Sequence, residues 1–509
     1  MKNSVGKGVF LLILSGFVCK IFGAFFRLPL TNILGIEGIG IFQMVMSLYS
    51  LSLVLVTGGV TNSLSKLVSS ARASGKIYKV NGYFRIALLF SAGLSLILGL
   101  CFALFSSQIS SLQGASEGKF SYMLLAFLLP MGALIGVYRG IIQGYENMAP
   151  TAISQIIEQS VKLGLGLFFA KLLLSNDLAS GVFGAFLGIT ISEVLAFLYL
   201  AFVMFFKYRA KAVKENVGKE FFNAVLPLSF GGAIVPLTHA IDSMFIVSLL
   251  VKAGFSSSQA TTLYGLQTGV VGALLNFPLI ISLSVGMSLL PKVSVLSERN
   301  DKVGLKNIIS KSFCLLWLFI LPLVFGIASI SKFLYPVIYP KFIGEYLGYA
   351  VNLTYVGGVA IILTAIMQFL IAILQAKGFY FFSMFCSIFG SVVKVFLVFT
   401  LAVQNNINIF AIPLSNIFLA GSVCVLALIK LKEIIRIPFF EFSLPLLSAF
   451  IMFLLVKICL NLFPNVWGMV FSIFVGGASY LILTLPLIDQ YFKILLKNRT
   501  KNQNGRKSF

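Results

Sequence analysis

This sequence predicts an all-α polytopic membrane protein of about fourteen transmembrane helices. Three observations predict it: too few charges to cover a water-facing surface, apolar runs of membrane-spanning length, and a lopsided distribution of Lys and Arg between those runs. Of 509 residues, 59% are hydrophobic and 10% charged, where an ordinary soluble domain is about a quarter charged. Mean hydropathy is +1.02. A chain with so few charges needs lipid as the solvent for much of its surface.

A span requires roughly 20 mostly apolar residues. Taken in order, six runs meet this at Gly8 to Leu34, Ile39 to Ser65, Ile86 to Phe105, Tyr122 to Ile142, Ala152 to Leu174 and Gly181 to Phe206. Six more follow at Phe222 to Leu250, Leu263 to Leu290, Ile309 to Ile330, Tyr349 to Leu374, Phe382 to Val403 and Ile409 to Ile429. Two last runs are Leu444 to Phe463 and Val466 to Ile488. The first run has no small-x-small cleavage site after it and continues through Lys20 and Arg27, so it reads as a retained span rather than a signal peptide. With the N-terminus inside, the inside segments hold 28 Lys and Arg and the outside loops hold 5. One missed span would invert every later loop, so this bias supports both the count and cytoplasmic termini in a cell-membrane protein.

The net charge of +23 does not point to nucleic acid, because most of the basic residues lie in short loops where they report orientation. The six cysteines sit inside apolar stretches with no metal-ligand spacing. No cofactor or metal site is implied, and no Walker motif or nucleophile constellation suggests an enzyme.

The fourth run ends in IIQGYENMAP at Gln143, and the tenth ends in AILQAKGFYF at Gln375. Nineteen residues after each glutamine stands a lysine inside the next run, Lys162 and Lys394. Basic loops also recur after the second and eighth runs, at Lys66 and Lys292. The unit holds six spans, an even number, so the halves run the same way through the membrane. This divides the chain into 1–214, 215–434 and a two-span segment with a basic tail, 435–509. Two such lobes suit a central cavity and alternating access.

Four segments resemble the multidrug/oligosaccharidyl-lipid/polysaccharide flippase superfamily, and within it the stage V sporulation protein B and lipid II flippase-like polysaccharide biosynthesis branch. They are Cys19 to Gln43, Tyr138 to Leu163, Leu226 to Phe245 and Leu263 to Ile280. The second is the most specific: RGxxQGxxxMxPTAxSQxxEQ, with Arg139, Gln143 and Gln155, is long and polar for a helix pair. The resemblance implies two MATE-like six-helix lobes plus two C-terminal helices. It also implies that a lipid-linked saccharide, such as a peptidoglycan precursor, is moved between leaflets by a protein acting as a monomer. The last two helices would then line a groove for the isoprenoid tail.

A diphosphate-linked lipid calls for cations in a cavity, and ionisable groups inside spans are functional candidates by default. The resemblance places Arg27, and with it Lys20, in this role. Related flippases also carry arginines in the second and eighth spans, which here have neither arginine nor lysine. Lys162 and Lys394 are the substitutes. Glu158, four residues before Lys162, is placed to pair with it. Lys394 has Gly390 at the equivalent position, which leaves it without such a partner and makes it the stronger anion-binding candidate. His239 and Asp242, three apart on one helix, join Glu158 as candidates for a coupling or polar network. Glu193 reads as an interhelical contact and Lys457 as a lysine reaching for the interface. The rival function is a cation-coupled multidrug antiporter of the same superfold. Lys20 and Arg27 in the first span favour an anionic substrate over a cationic drug.

Overall fold

The computed structural model describes residues 2–207, 217–299, 301–341, 343–435 and 439–504. Regular structure among them is helical throughout. Two compact units are formed. Unit 1 comprises 1–273 and 394–412, and unit 2 comprises 274–393 and 413–509. This boundary falls elsewhere than the repeat-based divisions at 214 and 434, which remain a reading of the sequence.

Unit 1 begins with α1 (Lys2–Leu53), a run interrupted at Gly35 by φ 75° and ψ 179°. Only glycine takes that conformation cheaply, so the long run is two helices in series. A π-helical turn at Val54–Gly58 leads to α2 (Gly59–Ala73). Next come α3 (Tyr78–Leu104), the short α4 (Ser106–Leu112), α5 (Lys119–Gly144), α6 (Ala149–Leu173) and α7 (Leu178–Lys207). The unit continues through α8 (Gly218–Lys252) and α9 (Ser257–Gly265) to a second π-helical turn at Leu266–Val271.

Lipid is as apolar as leucine, so membrane helices gain little from burying apolar surface against each other and instead pack through small residues. α5 carries glycine at every fourth position: Gly132, Gly136, Gly140 and Gly144. A methyl group on Gly140 would stand 2.9 Å from the Thr61 carbonyl oxygen, and one on Gly144 2.5 Å from Val68 Cβ. The gap on α5 thus admits α2, and Thr61 Oγ1 donates to the Gly136 carbonyl at 2.9 Å. Closer still, a methyl on Gly265 of α9 would lie 2.0 Å from the Ile36 carbonyl oxygen of α1.

Unit 2 contains α10 (Gly272–Leu275), which begins at the unit boundary, then α11 (Leu279–Glu298), α12 (Lys302–Ile338) and α13 (Leu347–Ala376). α14 (Tyr380–Leu401) follows, with its residues from Lys394 onward counted in unit 1. α15 (Ala411–Leu431), α16 (Phe439–Leu462) and α17 (Val466–Asn504) complete it. Trp317 of α12 stacks on Phe442 of α16, with centroids 5.0 Å apart, and its Nε1 donates to the Phe442 carbonyl at 2.9 Å. Tyr480 of α17 donates to the Leu318 carbonyl at 2.9 Å. Each polar tip is satisfied where no water is at hand.

Among the described residues, eleven helices are long and apolar enough to cross a membrane, or twelve if the bent pair around Phe277 is one span. The protein is therefore multi-pass. The expected fourteen would further need the first run divided at Gly35 and α6 included as a span, and it remains a reading of the sequence. The outward faces suit lipid: Leu104 is 73% exposed and Phe474 likewise 73%.

The repeat is visible in the backbone. Glu146 and Gly378, each three residues after its glutamine, both have positive φ, 62° and 82°. Glu146 N–H donates to the Gln143 carbonyl and Asn147 N–H to the Ile142 carbonyl; Gly378 to Gln375 and Phe379 to Leu374 repeat the pattern. Both helices end in the same left-handed cap.

Candidate functional site

α6 is launched by Pro150 in its first turn, where the missing N–H costs nothing. Ser154, Glu158 and Lys162 follow at four-residue spacing and share a face. Arg139 of α5 reaches this face: its Nε donates to Ser154 Oγ at 3.0 Å, and its Nη2 lies 2.9 Å from Glu158 Oε2. Gln159 Nε2 donates to Glu158 Oε1 at 3.0 Å, so both carboxylate oxygens are engaged. Ser15 Oγ of α1 donates to Gln155 Oε1 at 3.0 Å. Arg139 and Gln155 of the specific motif therefore bind helices together. Gln143 contributes its backbone carbonyl to the cap described above.

This corrects the expected Glu158–Lys162 pair. Glu158 is held by Arg139, whose planar fork bonds two groups on α6 at once. Lys162 instead places its Nζ 5.1 Å from the centre of the Phe26 ring. Among the described residues no carboxylate lies at ion-pair distance from it. Phe26 is buried against Phe42. Gly166 lets it approach, since a methyl there would be 2.7 Å from the ring. Arg27 follows Phe26 in the chain, is half-buried, and lies near enough for its charge to act on Lys162. Lys20 lies on α1, with its side chain outside the described residues.

The second correction concerns Lys394. Its partner is not on its own helix but on α8: Nζ lies 2.6 Å from Asp242 Oδ2, and the lysine is 0% exposed. Asp242 is likewise buried, and its Oδ1 accepts no hydrogen bond. His239, expected to share a face with Asp242, is exposed. The three-residue spacing leaves about a 60° difference around the helix, enough here to separate a buried carboxylate from an open imidazole.

Glu193 of α7 is buried and accepts a hydrogen bond from Tyr49 of α1. Tyr49 had no signal in the sequence, because nothing in its own neighbourhood announces a partner on α7. Lys457 is exposed and lies over the rings of Phe453 and Tyr355, at 4.7 and 5.2 Å. Unit 1 thus contains two kinds of intramembrane cation. Arg139 and Lys394 are paired with carboxylates, while Arg27 and Lys162 have no carboxylate at ion-pair distance among the described residues.

Comparison with known proteins agrees with this architecture. A family model for polysaccharide biosynthesis proteins matches residues 5–297. The stage V sporulation protein B of Bacillus subtilis (strain 168) is 29% identical over 304 residues, which cover 58% of this chain and 58% of that protein. The lipid II flippase MurJ of the same organism is 24% identical over 363 residues, 65% of each chain. These alignments thus span less than two thirds of either relative. A solved structure of the lipid II flippase MurJ in an inward closed conformation superposes with a TM-score of 0.73 at 15% identity, covering 94% of this chain and 99% of that one.

Proposed function

This chain belongs to the polysaccharide biosynthesis protein family, within the multidrug/oligosaccharidyl-lipid/polysaccharide flippase superfamily, and from that premise we propose that it flips an isoprenoid-diphosphate-linked saccharide across the cytoplasmic membrane. The observation that carries this reading is the pair Arg27 and Lys162, neither of which has a carboxylate at ion-pair distance among the described residues. A cation inside a span costs a few kcal/mol even on insertion scales, and an anionic substrate offsets that cost. The relative named as a lipid II flippase supports the same substrate chemistry.

In the proposed cycle both termini are cytoplasmic, and the lobes 1–214 and 215–434 alternate between inward and outward access. Arg27 and Lys162, with Lys20, meet the diphosphate while the prenyl tail stays in lipid beside 435–509. Binding is electrostatic and involves no covalent chemistry. Arg27 favours a phosphoryl oxygen pair through its fork, and Lys162 acts as a point charge held in place by Phe26.

The test is reconstitution in liposomes with lipid-linked saccharides and a headgroup-accessibility readout. Wild type is expected to expose the headgroup, and Arg27→Ala or Lys162→Ala to slow this at least tenfold with folded protein retained. Protein-dependent uptake of a cationic dye with no flipping of any such lipid would replace this reading with the drug-antiporter one.

A further inference from the structure

A second cationic site lies outside the spans of unit 2, where α13 turns into α14. The left-handed Gly378 reverses the chain so that Lys377 and Phe379 project from the end of α13. Lys377 Nζ lies 5.5 Å from the centre of the Phe379 ring. From the last turn of α15, Lys430 Nζ lies 5.0 Å from the same ring and 5.7 Å from that of Phe382. Two ammonium groups therefore share one aromatic ring. Among the described residues neither has a carboxylate at ion-pair distance.

Each helix end carries only about half a negative charge, and among the described residues Glu433 is the acid that acts on Lys377. Burial, then the like charges of Lys302 and Lys430, hold the Lys377 ammonium below the ordinary lysine range against the pull of Glu433. Three lysines, Lys377, Lys430 and Lys302, thus gather near one acid, Glu433. Beside them, Tyr380 and Phe381 are 64% and 85% exposed. Charge and open rings in one turn match a ligand that has both a phosphate and acyl chains, as found where a membrane meets water.

We propose that Lys377 and Lys430, organised around Phe379, form a binding site for the phosphate of an anionic phospholipid in the leaflet at the α13–α14 turn. By the Lys/Arg bias this is the cytoplasmic leaflet. The ring holds both ammonium groups through cation–π contacts, which spares the ligand part of the ordering cost. Tyr380 and Phe381 lie against the glycerol and upper acyl region. The site is separate from Arg27 and Lys162 and stands whether or not those residues bind a substrate.

The experiment is native mass spectrometry of the full chain, released from micelles holding equal mole fractions of phosphatidylglycerol and phosphatidylcholine. Wild type is expected to retain phosphatidylglycerol preferentially. Lys377→Gln/Lys430→Gln should lower that retention at least fivefold, and Lys377→Arg/Lys430→Arg should keep it. Lys332→Gln/Lys341→Gln, which removes two basic residues elsewhere in unit 2, should also keep it. If the glutamine pair does not fold, Phe379→Leu, which keeps both charges and removes the shared ring, should lower retention at least twofold. Equal retention of both lipids, undiminished phosphatidylglycerol binding in the folded glutamine pair or in Phe379→Leu, or displacement by equimolar inorganic phosphate would each overturn the proposal.

Discussion

Lys162 and Lys394 stand at equivalent places in a repeated sequence, nineteen residues after a glutamine that closes the preceding helix. Their surroundings are opposite. Lys394 is fully buried and bound to Asp242 at 2.6 Å, whereas Lys162 rests on an aromatic ring with no carboxylate at ion-pair distance among the described residues. The carboxylate that should have quieted Lys162 is spent on Arg139. A repeat conserves backbone geometry more readily than electrostatics, because caps and turns are local while the partner of a buried charge comes from whichever helix packs beside it.

The largest effect that can break this comparison is expected at Lys394. Lys394→Ala leaves the Asp242 carboxylate buried and unpaired, at a cost of about 3–5 kcal/mol, visible as a lowered thermal midpoint in detergent. Asp242→Asn/Lys394→Met, which removes both charges, should recover most of that loss. A single variant as stable as wild type would mean that the pair does not neutralise a buried charge.

A smaller effect sharpens the contrast. Lys162→Ala removes a partly exposed cation with no carboxylate at ion-pair distance among the described residues, so it should cost no more than about 1 kcal/mol, the scale of a cation–π contact at a partly open site. Unfolding of the two single variants side by side measures the difference directly. Equal destabilisation at both positions would show that Lys162 is structural and remove it from the proposed binding site.

The smallest effect concerns the two caps. Glu146 takes a left-handed conformation that Gly378 adopts without strain. Glu146→Gly is expected to stabilise by up to about 1 kcal/mol and Gly378→Ala to destabilise by about 1–2 kcal/mol, read from the same thermal midpoints. A destabilised Glu146→Gly would mean that the side chain contributes more than its backbone strain costs.

Much of the fold was legible because membrane helices announce themselves. The apolar runs expected as spans fall largely on helix, the exception being Leu263 to Leu290, which a turn at 276–278 breaks, and Pro29, Pro130, Pro227, Pro236, Pro322 and Pro486 lie within helices. The break at Gly35, the π-helical turns and the short α4 were not legible, since a few residues carry too little periodicity to mark them. In the candidate site, the ionisable residues were found by their cost in lipid. Their pairing was not, because four-residue spacing identifies only neighbours on one helix. Arg139 comes to Glu158 from α5, and Asp242 comes to Lys394 from α8.

By itself the sequence determined that this is a helical multi-pass membrane protein with a repeated glutamine and lysine spacing, and which residues place charge inside the spans. Composition, hydropathy and turn chemistry are properties of short stretches, so they are complete before any helix meets another. Only the tertiary structure decided which of those charges are cancelled. Arg139 and Lys394 have a carboxylate partner while, among the described residues, Arg27 and Lys162 have none at ion-pair distance, because a buried ion takes its partner across a helix interface, from whatever residue close packing brings within about 3 Å.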